Sequence, residues 1–103
     1  VFILYLSLDN GFKGDRVMSE KDLLLAKLIG EKIREKRQEM AETQDEFAFK
    51  LGIHVNNLGN IERGINLPSG KTFIHLITEC GINMTKLVLE ADAEVKRIYP
   101  DEK

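Results

Sequence analysis

Residues 54–60 read HVNNLGN and place three primary amides, Asn56, Asn57 and Asn60, within five positions. An asparagine amide offers a donor and an acceptor side by side, the pattern that pairs with N6 and N7 of adenine, and a valine such as Val55 can pack on a thymine methyl. Asparagine is a poor helix former, and Gly59 costs a helix about 1 kcal/mol relative to alanine. Something other than helix propensity explains this composition, and reading base edges is one explanation. The bland alternative is a set of solvated polar side chains. Other chemistry finds less support. His54 has no cysteine or histidine beside it at ligand spacing, so no metal site is expected. There is no Ser/His/Asp set with a local signature and no glycine-rich phosphate loop. Neither catalysis nor a cofactor is expected.

The elements that must position these residues lie in residues 43–64, TQDEFAFKLGIHVNNLGNIERG. Thr43 and Glu46 form a T-x-x-E capping box, in which the hydroxyl accepts from the N3 amide and the carboxylate accepts from the cap amide. Phe47, Ala48 and Leu51 then share one face of a two-turn amphipathic helix. Gly52 follows where a left-handed residue is needed. A second short helix begins after His54, with Leu58 and Ile61 inward, and Gly64 closes it. Two helices too short to be stable alone, joined by a three- to four-residue turn containing glycine, make a helix-turn-helix unit.

The run IGEKIREKRQEMAETQDEFAFKLGIHVNNLGNIERGINLPS resembles the Cro/C1-type, or Xre-like, helix-turn-helix family. The likeness continues through TFIHLITECGINMTKLV to position 88 and covers about 60 of the 103 residues. It rests on the T-Q opening, F-A-x-x-L-G-I, N-I-E-R-G and the G-x-x-x-P step to Pro68, all in register. The resemblance implies double-stranded DNA as partner, with the second motif helix in the major groove. The contacting set it implies is Thr43, Gln44, His54, Val55, Asn56, Asn57, Gly59, Asn60, Arg63 and Lys71. Of these, Gln44, Arg63 and Lys71 would meet phosphate, with Lys50 a further candidate, and Val55, Asn56 and Asn60 would meet base edges. Arg37 and Glu62 stand where the family places a buried ion pair that aims the second helix. The chain departs from the pattern at His54, where Ser, Thr or Asp usually caps, and at Ile65 and Leu67, where the loop is usually basic or polar.

Composition bounds these readings. Apolar residues are 43% and charged residues 31%, as in ordinary globular domains, and no apolar run is long enough for a spanning helix. No membrane association is expected. The single cysteine excludes an internal disulfide and fits a reducing cytoplasm. Net charge is −2, and residues 21–63 carry eight basic and eight acidic side chains, so strong non-specific DNA affinity is not expected. A local basic face matters more than the total.

Along the chain, residues 1–8, VFILYLSL, are apolar and β-prone on both faces, followed by an Asp9-Asn10-Gly11 turn signal. Residues 1–18 are expected to be either a short strand that pairs with another chain or an upstream extension, with Met18 resembling a natural start. Ser19-x-x-Asp22 opens a helix to about Met40, with Leu25, Ile29 and Ile33 inward and Leu28 alongside. Leu23 and Leu24 are expected to cover the N-terminal run or a neighbouring subunit. Ser69 caps a fourth helix whose inward stripe is expected to be Phe73, Ile74, Ile77 and Cys80, with His75 on the surface. Asn83 caps a fifth, with Met84, Leu87, Val88 and Ala91 inward and Val95 and Ile98 extending that face. The expectation is an all-α, compact five-helix domain over residues 19–99, of the lambda-repressor-like type. Its expected function is a sequence-specific transcriptional repressor reading a two-fold operator as a homodimer. The alternatives are the antitoxin of a toxin–antitoxin pair, and a protein-interaction module (binding a toxin or a regulator) that keeps the fold without DNA.

Overall fold

The computed structural model describes residues 19–100. The expected strand and its pairing through residues 2–8 lie outside the described residues. Five helices follow in order: α1 (Glu20–Glu39), α2 (Gln44–Leu51), α3 (Val55–Glu62), α4 (Gly70–Thr78) and α5 (Met84–Ile98). No strand occurs among the described residues, and the fold is all-α.

Local sequence explains where the helices start. The hydroxyls of Ser19 and Thr43 accept from the amides of Asp22 and Glu46, and both boxes close reciprocally. Ser69 accepts from the Thr72 amide and Asn83 from the Lys86 amide. Gly52, Gly64 and Gly81 end helices with φ of 71°, 79° and 68°. The turn between α1 and α2 uses Ala41 instead, at φ 58°, where a side chain costs about 1–2 kcal/mol.

The core joins Ile29 and Ile33 of α1 with Phe47, Ala48 and Leu51 of α2, Leu58 and Ile61 of α3, Leu76 of α4, and Met84, Leu87 and Ala91 of α5. Leu25, Leu28 and Val88 pack on its edge. The α1 helix lies against α3 and α5, and it approaches α3 very closely at Gly30. An added Cβ there would sit 2.2 Å from the Ile61 carbonyl oxygen and 2.8 Å from that of Glu62. Gly64 is doubly required, because a Cβ would also come within 2.5 Å of Lys27 Cα.

Three expectations need correction. In α4 the inward residues are Thr72 and Leu76, with Cys80 just beyond the helix, while Phe73, Ile74 and Ile77 are 36, 56 and 45% exposed. This helix packs mainly on α2 and α5 at one edge of the domain, so only a narrow i, i+4 strip is covered. Ile98 is exposed, and the α5 stripe ends at Val95. His75 is half-buried rather than superficial: its Nδ1 donates to the Leu51 carbonyl at 3.0 Å, satisfying the free end of α2.

Candidate nucleic-acid interface

The interface is built on how α3 is fixed. Its inner face, Leu58 and Ile61, is buried in the core, and its backbone is pinned to α1 across Gly30. A buried ion pair adds a polar anchor at the C-terminal end. Arg37 Nε donates to Glu62 Oε2 at 2.7 Å, and a second guanidinium nitrogen donates to Oε1 at 3.1 Å. The remaining terminal nitrogen donates to the Glu42 carbonyl at 2.9 Å. These side chains leave only 11 and 3% of their surface exposed. The Glu62 hydrogen bonds raise the Arg37 pKa above its ordinary value, outweighing the effect of burial. A fork-to-carboxylate bond of this kind fixes direction as well as distance, so α1 and α3 cannot rotate independently.

Gln44 joins the same network, its Nε2 donating to Glu62 Oε1 at 2.9 Å. The first residue of α2 is thus tied to the last of α3, and one Gln44 N–H remains for another acceptor. Thr43 is exposed and its hydroxyl is engaged in the capping box. His54 caps α3 through Nδ1, which accepts from the Asn56 amide at 3.1 Å. An accepting Nδ1 requires the tautomer with its proton on Nε2.

On the outer side of α3, Asn56 and Asn57 are exposed and Asn60 is half-exposed. Val55 is half-buried against the core and offers only part of its side chain. Gly59 is buried although it lies on the outward stripe. Arg63 is exposed and folds back to donate to Asn60 Oδ1 at 2.7 Å. Lys71 is exposed in the first turn of α4. Lys50 is held by Glu42 Oε2 at 2.7 Å, a bond that raises its pKa and engages the charge within the domain.

Over residues 33–87, more than half of the chain, the sequence matches the Cro/C1-type helix-turn-helix family. The chain belongs to this family. Members are DNA-binding regulators, and the matched region contains the helix-turn-helix unit α2–α3. No curated protein matches the chain. Among the described residues, no group of three or more His, Cys, Asp or Glu could hold a metal ion. No described helix is long and apolar enough to cross a membrane.

Sequence reasoning missed one residue and one contact that matter to this helix-turn-helix. Gly30 gives no local signal: a glycine inside a helix reads only as a weak helix former, and its partner lies more than thirty positions away. The hold of Arg63 on Asn60 is an i, i+3 relation and could have been sought from the spacing alone.

Proposed function

We propose that this protein is a sequence-specific repressor that binds a two-fold operator as a homodimer, with residues 19–99 as the DNA-binding unit. One observation carries the reading. An exposed row of amides stands on a short helix whose direction is fixed by a buried ion pair, a carbonyl-to-glycine contact and a core face. Rigid elements that present hydrogen-bonding groups outward are what major-groove reading requires. In this reading Asn56, Asn57 and Asn60 meet base edges, and the exposed part of Val55 meets a methyl. Thr43, Gln44, the Nε2–H of His54 and Lys71 line the phosphates on either side. Gly59 and Arg63 complete the surface.

A second copy of the chain follows from two considerations. One α3 reads too few base pairs to specify a site, and dimers solve this with half-sites about one helical turn apart. The exposed Phe73, Ile74 and Ile77 also give α4 an apolar row that a partner would cover.

A second reading is favoured by Phe49, Ile65 and Leu67, which are 86, 62 and 50% exposed. Apolar side chains there suit a protein partner, as in an antitoxin or an interaction module, better than a phosphate backbone. Random-site selection with the purified protein, followed by anisotropy on the selected duplex, decides between them. Enrichment of a two-fold motif supports the repressor. No retention of any duplex at 50 mM salt refutes it and leaves the interaction module.

A further inference from the structure

We propose that Arg63 sets the base that Asn60 reads, turning an amide suited to adenine into a unit that selects guanine. The inference rests on the proposed reading of DNA by α3 and adds a specificity determinant to it. Arg63 donates to Asn60 Oδ1 at 2.7 Å. A guanidinium carries donors only, so this bond also fixes the orientation of the amide: oxygen toward Arg63, nitrogen away from it.

Adenine presents a donor at N6 and an acceptor at N7, and an asparagine reads it by offering one acceptor and one donor. With a cation held against Oδ1, the acceptor half of that pattern is engaged. Its second lone pair remains, but the adjacent positive charge repels the amino hydrogens of adenine N6. The same charge attracts guanine O6. Asn60 Nδ2 and the remaining Arg63 N–H groups together present donors to an edge that carries only acceptors, O6 and N7.

Gly59 supplies independent support. It lies one turn before Arg63 on the outward stripe, and the three atoms nearest to an added Cβ all belong to the Arg63 guanidinium, NH1 being closest at 3.1 Å. A side chain at 59 would press on the guanidinium where it now lies along the helix. The glycine that weakens α3 as a helix therefore makes room for the cation that orients Asn60.

The test uses the full chain and the duplex obtained by random-site selection. Asn60→Ala first identifies the base pair whose discrimination is lost. At that pair, the affinities of the wild type, Arg63→Met and Gly59→Ala are measured for guanine and for adenine, with circular dichroism to show that each variant is folded. The wild type is expected to prefer guanine by roughly tenfold or more. Arg63→Met should remove or invert that preference while leaving the other positions unchanged, and Gly59→Ala should reduce it. A wild-type preference for adenine would overturn the proposal. So would an Arg63→Met variant that binds every sequence more weakly by one factor, which marks a phosphate contact. A wild type that selects no sequence would overturn this proposal and the DNA-reading function together, whereas the first two results leave the function standing.

Discussion

Replacing Gly30 with alanine tests whether α3 is positioned as described. The new Cβ would start 2.2 Å from the Ile61 carbonyl oxygen, 2.8 Å from that of Glu62 and 3.0 Å from the Glu62 carbonyl carbon. All three atoms are backbone, so no side chain can turn away, and α1 and α3 must separate by about 1 Å to reach ordinary van der Waals contact. Overpacking of this kind typically costs about 1–3 kcal/mol. Separation would also stretch the Arg37–Glu62 bonds, now 2.7 and 3.1 Å, which adds to the loss. Alanine returns about 1 kcal/mol of helix propensity. The expected net loss is about 1–2 kcal/mol, which for a domain of this size lowers Tm by roughly 5–15 °C. Thermal and urea melts followed at 222 nm measure it. Gly70→Ala is the control, because nothing lies within 4 Å of a Cβ at that position, and its effect should stay within about 1 kcal/mol. A Gly30→Ala protein as stable as the wild type would refute the close α1–α3 crossing. A stability gain equal to the propensity term would refute it outright.

Three further expectations follow from the same geometry. Glu62→Ala should destabilise the fold by about 3–5 kcal/mol because Arg37 is left buried without its partner, whereas Arg37→Met with Glu62→Leu should lose far less; additive losses in that cycle would mean the side chains do not act as a pair. With Lys71 as the cation each protomer of the proposed dimer brings to the phosphates and Arg63 engaged at a base edge, about two phosphates are neutralised, and log K against log salt should fall with a slope near −1.8; a slope steeper than about −4 would require cationic phosphate contacts elsewhere. Burial pushes the Cys80 thiol above its ordinary pKa, so the folded state holds this proton more tightly than the unfolded chain; stability from this group is complete below the ordinary thiol value near 8.5 and is lost as pH rises through the folded one. Urea melts from pH 7 to 10 should show that decline in the wild type and less of it in Cys80→Ala, and parallel curves would remove Cys80 as its source.

The parts of the fold that could be read from sequence are those governed by interactions within four residues. Both capping boxes, the Ser69 and Asn83 caps and the left-handed conformation of the glycines at 52 and 64 depend on the chain a few positions away. The structure closes each of them locally. Arg37 and Glu62, 25 positions apart, were marked only by the family pattern, since no local rule joins them. The Gly30 crossing was not legible at all, because its reason lies in the carbonyls of a helix whose placement depends on the whole core. Ala41 was equally silent, an ordinary residue held left-handed by the helices on either side.

The failure at α4 says most about function. Amphipathic spacing located α5 correctly through Met84, Leu87, Ala91 and Val95 because α1 lies along that helix. The same rule put Phe73, Ile74 and Ile77 inside, since three large apolar side chains normally outrank one threonine and one leucine. Thr72 wins an inward position because its hydroxyl and amide both bond Ser69 at the start of the helix, at 3.1 and 3.2 Å. With that register fixed, Leu76 and Cys80 follow inward at i+4 and i+8, and the larger apolar residues face out. Sequence that contradicts its own burial in this way is expected where a surface is kept for another molecule. In the proposed dimer, Phe73→Ser with Ile77→Ser should therefore leave the helical fold intact and lower the molecular mass in solution from two chains to one. Operator affinity should fall with it, because two half-sites are then bound independently. Sedimentation of the variant as a dimer at the wild-type concentration would show that α4 is not the shared surface.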